Sequence, residues 1–248
     1  MPKRPKAVTA FPSFMTSLIK LLRGAMSLTL FAIFGIGAIL LAPVMLICRG
    51  PERGQPFVRA TWRLAVRLFE VFGMIRVEKS GDTAFRGSIL VANHPSLIDV
   101  VLLVVAVPRT LYVAKAALRK NPFLALIVRN TALPNDETLP VVAAPYLKAG
   151  WNVLIFPEGT RSPFEGGLQP LHRGAAQLAL RTGAPIVPAR IDFSRRLLAK
   201  HQPPWDMGKE CVNIGITFHA PIEPGVPSGS LHQASIELTS RIYDIIRA

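Results

Sequence analysis

A chain of 248 residues fits one large domain with an appendage, and its two cysteines, Cys48 and Cys211, exclude a disulfide framework. Hydrophobic residues make up 50% and the mean hydropathy is +0.35, values that are high for a soluble protein and point to contact with a membrane. The formal charge of +14, from 29 Lys+Arg against 15 Asp+Glu, attracts polyanions: nucleic acid, anionic lipid headgroups or phosphorylated substrates.

The position of the charge chooses among these. Nine of the fourteen surplus charges lie in the first 76 residues, on both sides of an uncharged apolar stretch at 24–48. A basic fringe on an apolar segment reads as a membrane surface facing anionic lipid. It does not read as a nucleic-acid groove, so no nucleic-acid partner is expected.

The 24–48 stretch exceeds the ~20 apolar residues that span a bilayer. It is too long, and begins too far from Met1, for a cleaved signal peptide. Pro43 bends or ends a helix near its last turn, so the segment either spans or dips in and returns. A re-entrant path puts both basic flanks on the same side. Two amphipathic helices are expected beside it, at 11–22 and at 57–75. The second alternates Arg59, Trp62, Arg63, Leu64, Arg67, Leu68 and Phe72. That pattern suits an interfacial helix as well as a core-packed helix with a solvated basic face.

From residue 77 the pattern becomes α/β. Strands are expected at 76–79, 88–92, 110–114, 152–156, 186–191 and 212–218, and helices at 97–106, 116–129, 142–149, 173–182 and 231–247. Short apolar strands separated by helices predict a mostly parallel sheet covered by helices. The expected division is therefore 1–76, membrane-anchoring helices, and 77–248, an α/β domain. The Pro/Gly-rich stretch at 220–230 leads into the last helix.

Ligands on such sheets bind beyond the carboxyl ends of the strands, and two charged motifs follow strand-like runs. The first is Asn93-His94-Pro95-Ser96-Leu97-Ile98-Asp99. Within one helix, His94 and Asp99 would lie ~140° apart and could not touch. Pro95 suits the first helical position. His94 then falls in the turn before the helix, and Asp99, one turn in, reaches back to the imidazole. Such a carboxylate fixes the tautomer of a general base that takes a proton from a hydroxyl. Ser96 reads as a helix-start residue. The non-catalytic alternative is that His94 caps the helix and Asp99 favours its positive end.

The second motif is Phe156-Pro157-Glu158-Gly159-Thr160-Arg161-Ser162. Gly159 and Thr160 allow close approach of a ligand, and Arg161 can hold a phosphate with two parallel hydrogen bonds. Glu158 orders the loop or accepts a bond from a substrate hydroxyl. Lys115, at another strand end, is a second candidate phosphate ligand. Arg173, at the start of a helix, reads as structural. The five His are scattered without HxxxH or HExxH spacing, so no metal site is expected.

Together the two motifs resemble the HX4D and FPEGTRS motifs of the PlsC-like glycerolipid acyltransferase superfamily, and Ile186-Val187-Pro188-Ala189 resembles a later apolar-proline motif. The resemblance covers roughly residues 75–220. It implies acyl transfer from acyl-CoA or acyl-carrier protein, with no cofactor, to the hydroxyl of a lysophospholipid such as 1-acylglycerol-3-phosphate. His94 and Asp99 would be catalytic, and Lys115, Glu158, Gly159, Thr160 and Arg161 would bind substrate. It also implies a membrane-bound enzyme at a bacterial inner membrane, its catalytic domain facing the cytoplasm. One stretch departs from the family. Where the family usually carries an Ile-Asp-Arg-like triplet, this chain has Pro134-Asn135-Asp136, without the arginine. That departure makes a specialised-lipid or aryl-polyene-type acceptor the alternative. A non-catalytic protein that binds anionic lipid fits the charge and the apolar stretch, but it requires neither motif.

Overall fold

The apolar runs become the centre of a sheet. In a computed structural model, which describes residues 13–40, 46–47, 50–120, 125–163, 167–225 and 229–247, seven strands form one sheet. They are β1 (Ile75–Ser80), β2 (Ile89–Ala92), β3 (Thr110–Ala114), β4 (Ala132–Pro134), β5 (Asn152–Ile155), β6 (Ile186–Phe193) and β7 (Val212–Phe218). Their order is β1-β7-β6-β2-β5-β3-β4. All pairs are parallel except β6 with β7. β2 lies between β5 and β6, with Leu90 opposite both Leu154 and Val187. All four β2 residues are buried, because helices cover both faces and a strand buried on both sides needs a continuous apolar run.

The helices are α1 (Ser13–Leu40), α2 (Pro51–Val71), α3 (Asp99–Ala106), α4 (Ala116–Lys120), α5 (Ala125–Thr131), α6 (Leu139–Lys148), α7 (Gly174–Thr182) and α8 (Leu231–Arg247). On one face, Leu90, Leu154 and Val187 pack with Leu30 of α1, Phe69 of α2 and Leu103 of α3. On the other, Ile89, Val91 and Ile186 pack with Leu147 of α6, Leu178 of α7 and Ile242 of α8. The product is a three-layer α/β/α arrangement, as the alternation of elements predicts.

Four details differ from the sequence expectation. The three-residue strand β4 was not expected. The helix expected at 116–129 is two pieces, α4 and α5, and 121–124 between them lie outside the described residues. The helix expected from 142 starts at Leu139, with Pro140 in its first turn, where a missing N–H costs nothing. The helix expected from 97 starts at Asp99, for reasons that lie in the site.

Helix α2 packs on the core, as the second reading offered for 57–75 expects. Its inner side buries Val58, Ala65, Val66 and Phe69. Its outer side has two flanks. Phe57, Leu64 and Val71, seven apart, are 48%, 55% and 79% exposed, while Arg59, Arg63 and Arg67, four apart, line the opposite flank. Helix α1 docks against the loop after β6. Arg23 donates to Gly73 O and Glu210 O, both at 3.1 Å, and Ser27 Oγ donates to Pro204 O at 2.8 Å. A Cβ at position 24 would lie 2.8 Å from Trp205 O, so the close approach requires Gly24. Among the described residues, no helix is long and apolar enough to cross a membrane. The 24–48 stretch expected to do so is helical as far as Leu40, and 41–45 and 48–49 lie outside the described residues, as do 11–12 of the first amphipathic helix.

Candidate active site

Past Ala92 the β2 ladder ends, and side chains take over its work. Asn93 replaces the ladder: its Nδ2 donates to Ile191 O at 2.8 Å and its Oδ1 accepts from Ile191 N–H at 2.7 Å. The chain then makes a turn rather than a helix. The Asp99 carboxylate captures the Ser96 N–H at 2.7 Å. Ser96 Oγ donates to Leu197 O at 2.6 Å and accepts from Ile98 N–H at 3.3 Å. The Leu97 N–H donates to Leu198 O at 3.2 Å. These non-helical partners outcompete the first helical turn. The helix therefore begins at Asp99, not at Pro95. The two side chains still meet, because the turn, rather than a helical turn, folds Asp99 back toward His94.

His94 Nδ1 lies 3.0 Å from Asp99 Oδ2. With Nδ1–H donating to the carboxylate, Nε2 is the nitrogen left for a substrate. The imidazole stacks on Phe156, ring centroids 4.2 Å apart, which fixes its plane. Asp99 is fully buried. Burial pushes its carboxyl up to about 6, against the opposing pull of the hydrogen bond from His94. Its Oδ1 has no partner among the described residues. Ser96 is no nucleophile: its hydroxyl is buried and committed to Leu197 O.

The second motif follows β5, the neighbour of β2, and the two motifs are joined directly. Glu158 Oε1 accepts from the His94 N–H at 2.9 Å and from Ser162 Oγ–H at 2.6 Å, and Oε2 accepts from the Gln169 N–H at 3.1 Å. The Ser162 N–H donates to His94 O at 2.7 Å. Glu158 is thus buried with both oxygens occupied by protein donors, so it orders the loop; the geometry leaves it no open path to a substrate hydroxyl. Gly159 has φ +65°, and a Cβ there would lie 3.2 Å from the His172 ring, so a side chain would strain the turn and press on that ring. Thr160 follows, half-buried. Arg161 Nη1 donates to Leu198 O at 3.0 Å and Ala199 O at 3.1 Å.

Comparison with known proteins bears on the chemistry of this paired-loop site. A family model described as Acyltransferase matches residues 75–192, which contain both motifs. The chain is 30% identical over 156 residues to 1-acyl-sn-glycerol-3-phosphate acyltransferases of Salmonella typhimurium and Escherichia coli, covering 58% of this chain. Over the residues that hold both motifs, the chain is similar to members of the PlsC-like acyltransferase superfamily. A crystal structure of a member, the 1-acyl-sn-glycerophosphate acyltransferase PlsC of Thermotoga maritima, superposes with a TM-score of 0.61 over 94% of each chain. At 22% identity that likeness speaks for the fold. The lyso-ornithine lipid O-acyltransferase of Pseudomonas aeruginosa is 30% identical over 136 residues, 52% of each chain. The chain spans 63% of the length of the Salmonella and Escherichia relatives.

Two features of this chain stand apart from the paired loops. Lys115 is exposed beyond β3, on the same sheet edge but separated from β2 by β5. The departing stretch ends β4, where Asp136 Oδ1 accepts from the Thr138 N–H at 2.9 Å. Sequence reading assigned no role to Asn93, Gln169 or the 197–199 segment. Asn93 and Ser162 stand inside the motifs and could have been tested as loop ties. Nothing local marks 197–199, which lies about a hundred residues from the turn it holds.

Proposed function

We propose that the chain is a membrane-surface O-acyltransferase that moves an acyl group from a thioester to the hydroxyl of a lysophospholipid. The observation that carries this reading is the buried Asp99 carboxylate 3.0 Å from His94 Nδ1, at the carboxyl edge of β2 and tied to the Glu158 loop. His94 Nε2 takes the proton from the acceptor hydroxyl as its oxygen attacks the thioester carbonyl. Asp99 stabilises the imidazolium that forms. The C–S bond then breaks, and the thiolate takes the proton back from His94. The donor is acyl-CoA or acyl-carrier protein, and a thioester is already activated, so the residues present suffice. Glu158 and Asn93 are positioning residues. Arg161, Lys115, Gly159 and Thr160 receive the acceptor's headgroup.

The two flanks of α2 support a seat at the lipid surface, with Phe57, Leu64 and Val71 in the apolar layer and the exposed Arg63 and Arg67 at anionic headgroups, while Arg59 donates to Val104 O and Val105 O of α3. Leu21 and Leu22 of α1, 69% and 59% exposed, extend that apolar layer. That surface is read as the cytoplasmic face of a bacterial inner membrane.

Both phosphate and zwitterionic acceptors are worth separating, because Pro134-Asn135-Asp136 replaces the family arginine and one relative is a lyso-ornithine lipid O-acyltransferase. The test offers 1-acylglycerol-3-phosphate and a lyso-ornithine lipid together to the purified protein with an acyl thioester. Mass spectrometry of the products is expected to show one diacylated lipid in excess. Absence of both products would sink the reading.

A further inference from the structure

A long loop, residues 194–211, joins β6 to β7 on the face that carries α1. Loops beyond ~12–15 residues without secondary structure of their own are uncommon and usually functional. This one has a built shape. Gln202 braces it from within: Oε1 accepts from the Ala199 N–H at 3.1 Å, and Nε2 donates to Asp206 O at 3.0 Å. Arg195 Nη2 donates to Met207 O across its neck. Leu197, Leu198, Ala199 and Met207 are buried. Leu198 and His201 are held in the left-handed region, at φ +49° and +66°, which non-glycine residues adopt where the surrounding structure imposes it.

The loop touches two regions at once. Its first part holds the catalytic turn and Arg161. Leu197 O accepts from Ser96 Oγ–H, Leu198 O from the Leu97 N–H, and both Leu198 O and Ala199 O from Arg161 Nη1. Its second part lies on α1. Pro204 O accepts from Ser27 Oγ–H, and the Trp205 Cβ lies 3.7 Å from where a Cβ at Gly24 would stand. Trp205 is nonetheless 57% exposed, whereas Trp151 is buried. Leu21, Gly24 and Leu28 share one side of α1 by their spacing of three and four. The exposed Leu21 and Leu28 therefore flank Trp205, and the three form one apolar patch where helix and loop meet. An indole beside two leucines suits the headgroup depth of a bilayer, where one end of the ring is apolar and the other wet. At that depth Lys200, Asp206, Lys209 and Glu210, all exposed on the same loop, stay in the polar layer.

We infer that the 194–211 loop is a further lipid-seating element: Trp205 enters the bilayer surface beside α1, and the loop thereby holds the mouth of the His94 site against the layer that supplies the acceptor. The inference rests on the membrane-surface reading above and assigns a part to a loop which that reading leaves unused. The occupant is lipid because the patch is continuous with Leu21, which already faces the apolar layer in that reading.

The test uses the full chain with vesicles of phosphatidylethanolamine and phosphatidylglycerol whose acyl chains carry bromine, a contact quencher of tryptophan emission. Flotation establishes that the protein is bound. Wild-type emission is expected to be quenched, and the quenched component to be absent from Trp205→Phe, which keeps an aromatic ring and loses the reporter. Equal quenching of wild type and Trp205→Phe, with both bound, overturns the inference and leaves the seat of α1 and α2 standing. A protein that does not float removes both. Trp205 emission that responds to protein concentration in the absence of lipid makes the patch a contact between copies and overturns the inference as well. Kinetics test the link to the active site. Trp205→Ala, its folding checked by thermal unfolding, is expected to raise KM about ten-fold for long-chain 1-acylglycerol-3-phosphate held in vesicles. For 1-hexanoylglycerol-3-phosphate dissolved as monomer, KM is expected to stay within about two-fold, and Trp205→Phe to restore the vesicle value. A merely structural role would move both acceptors, and an equal change in the two overturns the link. Quenching needs no turnover, so a protein that shows it but transfers no acyl group keeps the lipid contact and loses the acyltransfer reading.

Discussion

Between Asn93 and Asp99, side chains and backbone are tied to β6, to the Glu158 loop and to the 197–198 segment. At the end of β4, on the same edge of the same sheet, Asn135, Asp136 and Glu137 are exposed and Asp136 holds a local turn to Thr138. The difference follows from what each region has to do. Under the proposed function, proton transfer tolerates little error in the position of a base, and the turn that carries His94 is held by partners from three directions. On that reading an acceptor's headgroup needs only charge and hydrogen bonds at an accessible edge, so the chain specifies its proposed reaction more tightly than its acceptor.

That contrast breaks most sharply at Asp99. Asp99→Asn keeps the shape of the turn but removes the charge that stabilises the imidazolium, and kcat is expected to fall about 10³-fold, measured by thioester consumption with saturating acceptor. The pH profile gives the same contrast without mutation. Below about pH 6 the Asp99 carboxyl is protonated, so wild-type kcat/KM is expected to rise with pH through that value. Stability runs the other way. The folded state holds the Asp99 proton more tightly than the unfolded chain does, so the stability this group contributes falls as pH rises from the ordinary carboxylate range to about 6. In Asp99→Asn that slope is expected to vanish from denaturant titrations across the window.

Glu158→Ala comes next. It leaves the Gln169 N–H without its acceptor and the His94 N–H with only Ser162 Oγ at 3.3 Å, and a loss of about 1–3 kcal/mol in unfolding free energy is expected, with kcat down about 10²-fold. An acceptor KM raised as strongly as kcat is lowered would move Glu158 from positioning to substrate contact. Arg161→Ala is the smallest of the three. It is expected to raise the acceptor KM about ten-fold for a phosphate-bearing lysolipid, with kcat within about two-fold of wild type. Equal KM for wild type and variant would confine Arg161 to holding the Leu198 and Ala199 carbonyls.

Much of the fold was legible because its centre is chemically simple. The runs at 89–92 and 152–155 are apolar at every or nearly every position, as strands buried on both faces must be. The pairing of His94 with Asp99 was legible too, but its geometry was not. Pro95 reads as a helix start, and only the capture of the Ser96 N–H by Asp99, together with the tethers from Leu197 and Leu198, delays the helix to 99. Such long-range competition for a backbone N–H leaves no local signature. Strand β4 escaped notice because three residues ending in proline carry no periodic signal. The role of Glu158 was half visible: a carboxylate in a glycine-bearing loop suggests order or contact, and of the donors that fill it Ser162 lies four residues on while His94 and Gln169 lie 64 and 11 residues away.

The most direct test of the central claim is transfer of a radiolabelled acyl group from a thioester to a lysophospholipid in mixed micelles by wild type and by His94→Ala, with folding of each checked by thermal unfolding. Labelled diacyl product from the wild type and a rate lower by about 10³-fold or more from a folded His94→Ala are the predicted result. Product formed by folded His94→Ala at near the wild-type rate would contradict the assignment of His94 as the base.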